Sequence, residues 1–167
     1  MKIPLWNSLV LAVGAALLAG CAGTGEGGGK DMLKSSNTAM DNMKRVMMMP
    51  EAARMAYMMK VQQASLEHGK AMFHDPNLGT DGQTCASCHV GGDTSGGKVE
   101  MMPGIKLPIP SLLGVAAKFP KYKVGNDAVI TLPEMNNNCI VMFQKGKPLP
   151  LDSREARDLA AYVSTLK

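Results

Sequence analysis

Apolar and polar positions along the chain fall into contrasting stretches. Leu9 to Ala19 is an unbroken apolar run behind a short basic start at Lys2. It is too short to cross a bilayer as a mature helix and reads as a signal peptide over residues 1–20. Gly23 to Gly29 then holds five glycines with no apolar rhythm, which predicts a flexible tether over residues 21–30. From Asp31 to Met49 the spacing turns helical, with Met40, Met43 and Met47 at i, i+3 and i+7. A second helix is predicted from Pro50 to Phe73, with Pro50 at its first position and Glu51 in its first turn. Met55, Met58, Met59 and Leu66 supply its apolar faces, and Asp75-Pro76 ends it.

The next long stretch lacks helical rhythm. Gly91, Gly92, Gly96 and Gly97, followed by Pro103, Pro108, Pro110 and Pro120, predict a loop-rich segment. Leu132 to Lys145 reads as a helix with Pro133 at N1, Glu134 in the first turn and Gly146 at the C-terminal cap. Its spacing sets Met135, Cys139, Met142 and Phe143 along one face. A last helix starts at Asp152 or Ser153, with Asp152 and Glu155 related as in a capping box. Ala156, Leu159, Ala160, Val163 and Leu166 form its buried stripe. The expected class is therefore all-α, with a Met-rich helical segment over 31–63 and a domain over 64–167.

Composition sharpens this picture. Aromatic residues make up only 4% of the 167 residues, while methionine occurs 15 times. A domain this poor in aromatic side chains has little core of its own, and a buried prosthetic group would supply the missing apolar mass. The net charge of +4 gives no reason to expect nucleic acid as a partner. The methionine stripes suggest adaptable packing or a docking face, with soft-metal binding such as Cu(I) as the other chemistry open to them.

The four cysteines divide by context. Leu18-Ala19-Gly20-Cys21 looks like a bacterial lipobox, which implies cleavage before Cys21, its acylation and a stable membrane anchor. Ala22 in the next position leans towards the outer membrane, by analogy with enteric lipoproteins. Cys85-Ala86-Ser87-Cys88-His89 is the CxxCH pattern of covalent haem c attachment. Two thiols three residues apart can each add to one vinyl group of a single porphyrin, and His89 then becomes the proximal iron ligand. Zinc would require two more ligands at matching spacing, and a redox dithiol would require a βαβ context. Neither is present in the sequence. Cys139 is left over.

Several blocks carry a family resemblance. Gly69 and Phe73 form a G-x-x-x-F pair that resembles the N-terminal helix of class I cytochromes c, where a small residue lets the C-terminal helix cross closely. Gly114 to Tyr122, Val129 to Leu132, Cys139 and Gly146 to Leu149, with CxxCH and Leu159 to Tyr162, resemble the haem domains of thiosulfate dehydrogenases and related sulfur-oxidation cytochromes. The resemblance spans residues 64–167 and implies a class I cytochrome c fold around one covalent haem. It also implies a distal thiolate from Cys139, with Met142 or Met135 as alternatives on the same helix face. Family members carry arginines near that cysteine to hold an anionic substrate. Here Met135 and Met142 stand near those positions, and no arginine lies between Arg54 and Arg154.

These readings converge on an exported, lipid-anchored, periplasm-facing electron carrier with redox proteins as partners and no small-molecule substrate. Lys98, Lys106, Lys118, Lys121, Lys123, Lys145 and Lys147 could steer acidic partners. A thiosulfate-oxidising cytochrome, or a haem subunit of one, is the enzymatic alternative. A haem sensor or Met-rich metal-binding lipoprotein is the third class.

Overall fold

A computed structural model describes residues 28–167, with side chains from Thr38 onward. The signal peptide and Cys21 lie outside the described residues, as does the tether up to Gly27. The chain divides into two compact units, Met1–Arg54 and Met55–Lys167.

In the first unit, helix α1 runs Gly28–Met47. Met40, Met43 and Met47 are each about half exposed, and Lys44 and Arg45 occupy the last turn, where cations oppose the negative helix end. Helix α2, Glu51–Phe73, begins in this unit. Pro50, expected at the first helical position, stands just before it, its carbonyl accepting from Arg54 N at 2.8 Å. Among the described residues, no helix is long and apolar enough to cross a membrane.

The second unit is built where the C-terminal end of α2 meets helix α5, Arg154–Ser164. Gly69 sits at the crossing. A Cβ there would lie 2.0 Å from the Asp158 carbonyl oxygen and 2.8 Å from Tyr162 Cβ, so only glycine permits this approach. Phe73 packs edge-on against Tyr162, with ring centroids 5.4 Å apart. Met72, Phe73, Leu159, Ala160 and Val163 join Val115, Leu132 and Ile140 in one small apolar core. Of the predicted stripe on α5, Ala156, Leu159, Ala160 and Val163 are buried, and Leu166 packs against the core from its edge.

A buried carboxylate pins the same crossing. Asp158, only 5% exposed, accepts from Ser65 Oγ at 2.5 Å and Arg154 Nε at 3.0 Å, and pairs with His68 Nδ1 at 2.8 Å. Burial opposes its charge, but these three partners together hold its carboxyl below the usual carboxylate range. His68 is thus committed to the helix crossing.

Helix α3 is a single turn, Cys85–Cys88. Helix α4 spans Leu132–Phe143 behind a Thr131–Glu134 capping box that places Pro133 at N2. Three local expectations are corrected. The proline-punctuated segment is not all loop: β1 (Lys98–Met102) pairs antiparallel with β2 (Ile105–Pro108), and β3 (Lys121–Lys123) with β4 (Ala128–Ile130). Proline is tolerated because these are two-stranded ribbons, where Pro108 closes a strand end. Past α4, Lys145 takes the left-handed conformation (φ 53°) in place of Gly146. Gly146 is needed instead for close approach, since a Cβ there would lie 2.6 Å from the Leu78 carbonyl oxygen. Helix α5 is capped by Ser153, whose Oγ accepts from Ala156 N at 3.1 Å, rather than by an Asp152–Glu155 pair.

Gly69→Ala is expected to destabilise the protein by roughly 1–3 kcal/mol by overpacking the crossing. Urea unfolding of the purified protein checks this; an unchanged midpoint would contradict the close contact.

Candidate functional site: a cysteine and histidine turn near a third thiol

The CxxCH turn is held by a reciprocal cap. Thr84 Oγ1 accepts from Ser87 N at 2.9 Å, and Thr84 N donates to Ser87 Oγ at 3.2 Å. This cap satisfies backbone donors that so short a helix leaves free. His89 N donates to the Cys85 carbonyl at 2.9 Å, so both thiols and the imidazole issue from one rigid turn. The chain then leaves through Gly91 and Gly92, both at positive φ. A Cβ on Gly92 would also lie 2.9 Å from Leu166 Cδ2, so the C-terminus packs on the loop directly behind His89.

Each thiol has a distinct environment. Cys85 packs against the apolar core, and burial pushes its pKa up while a hydrogen bond from Gln144 pulls it down. That bond runs from Gln144 Nε2 to Cys85 Sγ at 3.3 Å. Gln144 is only 3% exposed and its backbone carbonyl accepts from Thr80 N at 2.8 Å, so the end of α4 is locked to the approach to the motif. Cys139, one turn earlier on α4, is buried deeply enough that desolvation pushes its thiol up to about 12. The fields of Cys85 and Cys88 raise it further, and Lys123 opposes them. The three thiols therefore share one electrostatic neighbourhood.

His89 is half-buried, and burial lowers its pKa, partly offset by the nearby Pro110 carbonyl. The imidazole is thereby kept neutral, the form that ligates a metal. Its Nδ1 is enclosed without a regular hydrogen-bond partner. Met135 is partly buried, whereas Met142 is 49% exposed. Of the helix face Met135, Cys139, Met142 and Phe143, Met142 is open to solvent and the other three are partly buried.

Among the described residues, no three His, Cys, Asp or Glu side chains converge as a bare metal ion would require. The donor set suits a larger group: two thiols placed for thioether bonds, a neutral imidazole beside them, and a third sulfur nearby on another helix. The small core leaves the apolar share of a porphyrin to be supplied. These residues fit haem c.

The comparison with known families decides the class. The SoxA/TsdA cytochrome c domain matches residues 68–166. The chain belongs to this family. No curated protein matches it. A SoxA/TsdA-type cytochrome c domain is a class I c-type cytochrome that carries haem c covalently and transfers electrons to and from redox proteins. The resemblance read from Gly69, CxxCH and Cys139 is borne out at the level of family and cofactor.

Four features of the site escaped the sequence reading. The Thr84–Ser87 and Thr131–Glu134 caps carry a legible signal, a hydroxyl residue three positions before its reciprocal partner. The Gln144 bond to Cys85 and the clamp of Asn137 on both Leu149 N and O, each at 2.8 Å, join residues that no local pattern relates.

Replacing Cys85 or Cys88 singly by Ala is expected to leave a haem bound by one thioether, and replacing both to leave a haem that acidified solvent extracts. Absorbance of the protein after denaturing gel electrophoresis checks this. A C85A/C88A chain that keeps its haem through denaturation would contradict the assignment.

Proposed function

We propose that the protein is a membrane-tethered monohaem carrier that moves single electrons between redox proteins of the bacterial cell envelope. Haem c, when bound, supplies a one-electron redox centre. Cys85 and Cys88 would hold it by thioether bonds. His89 presents a neutral imidazole from a turn whose cap and glycine exit fix its direction. Cys139 is the proposed distal ligand, supported by its shared electrostatic neighbourhood with Cys85 and Cys88 and by the exposure of Met142. A thiol that desolvation keeps protonated gives up its proton only when a strong Lewis acid replaces the missing solvation.

The observation that carries the reading is the single CxxCH turn in a chain with no arginine near Cys139 in the sequence. No arginine occurs between Arg54 and Arg154, so the stretch from the CxxCH turn through α4 lacks the bidentate donors that suit an oxyanion substrate. The cations of this stretch are lysines, with Lys98, Lys106, Lys118, Lys121, Lys145 and Lys147 exposed and Lys123 partly so. Strongly hydrated point charges of this kind suit long-range steering of an acidic protein.

The signal-like start and Leu18-Ala19-Gly20-Cys21 support export and acylation at Cys21, with the outer membrane as the favoured location. Cys21→Ala is expected to move the protein from the membrane fraction to the soluble periplasmic fraction. A variant that stays with membranes would contradict the anchor.

Electron-transfer kinetics test the carrier reading. Changing Lys106, Lys118 and Lys147 to Glu is expected to slow reduction by an acidic redox protein about tenfold at low ionic strength. The difference should vanish at high salt. Steady turnover of thiosulfate by the purified protein with an artificial acceptor would overturn the carrier reading in favour of a thiosulfate-oxidising enzyme.

A further inference from the structure

The second unit exposes a group of thioethers that the haem site does not use. Within it, α2 buries only Gly69, Met72 and Phe73, all near its C-terminal end. Towards the other end, Met55, Met58 and Met59 are 52%, 51% and 67% exposed. Adaptable packing, the ordinary role of a methionine stripe, does not account for side chains left this open.

Their spacing is i, i+3 and i+4, so each lies next to another on the helix surface. At 100° per residue the three fall within an arc of about 100°. Lys60 lies about 100° beyond Met59, away from that arc, and the next residue along the arc is Gln62, an uncharged amide. Three soft, uncharged donors lie on adjacent turns, and the neighbouring cation, Arg54 one turn before Met58, bonds Met47 Sδ instead. The stripe on α1 differs, because the Arg54 guanidinium already sits 4.0 Å from Met47 Sδ.

We infer that Met55, Met58 and Met59 form a surface site for a soft monovalent d10 cation, Cu(I) or its redox-inert stand-in Ag(I). Thioethers select such ions over harder divalent ones by donor softness. They carry no proton at any ordinary pH, so binding releases none. Flexible methionine side chains on one helix face can close around an ion without moving the backbone. The haem thiols are not needed.

The test uses the full-length haem-loaded protein. Cu(I) is partitioned anaerobically between the protein and bicinchoninate, for the wild type and for M55L/M58L/M59L. Leucine conserves volume and helix propensity. The wild type is expected to take up about one equivalent more than the variant, with an affinity that stays flat between about pH 5.5 and 8. Independently of any variant, Ag(I) added to wild-type protein labelled with 13C at its methionine methyls should shift three resonances together. Equal uptake by both proteins would overturn the assignment. So would an affinity that collapses on acidification, which marks thiol or histidine ligands, or methyl shifts confined to other methionines.

Discussion

Everything in the cytochrome unit depends on how closely α2 can approach α5. That approach is permitted at Gly69, where the Asp158 carbonyl occupies the space of a side chain. It is oriented by the buried Asp158 carboxylate, which gathers Ser65, His68 and Arg154 around it. A buried charge is tolerated only when partners replace the water it loses. The cluster therefore selects one register of the two helices as well as holding them. Phe73 and Tyr162 then close the apolar side of the crossing.

The site is assembled outward from that crossing. The C-terminus of α5 reaches the loop behind His89 through Leu166 and Gly92, and Leu166 O accepts from Gly114 N at 2.9 Å. Helix α4 is tied to the approach to the motif through Gln144, Thr80 and Cys85. Two thiols and an imidazole on one capped turn are thus set in the same neighbourhood as the partly buried thiol of Cys139. This is a donor arrangement for a large planar cofactor. The protein contributes binding, orientation and a low-dielectric setting, while the redox chemistry belongs to haem.

The long helices and the family were legible in the sequence because their signals are local or strongly spaced. CxxCH, the Gly69 to Phe73 pair and the stripe on α5 each describe one element seen along its own axis. What escaped was relational. The hairpins from Lys98 to Pro108 and from Lys121 to Ile130 are short, largely exposed ribbons of three to five residues per strand, too brief to stand out against the surrounding glycines and prolines. Gly146 looked like a helix cap, but its lack of a side chain serves contact with Leu78, and Lys145 takes the left-handed turn at local cost. Nothing in the local sequence marks His68 as part of the crossing, because its partner Asp158 lies ninety positions away.

Potentiometric titration of the purified mature protein, with electrons counted per chain, tests the central claim most directly. One electron per polypeptide is expected, in a single transition that follows the haem absorbance. Uptake of more than one electron, or a colourless chain that takes up none, would contradict a single covalent haem as the working part of the molecule.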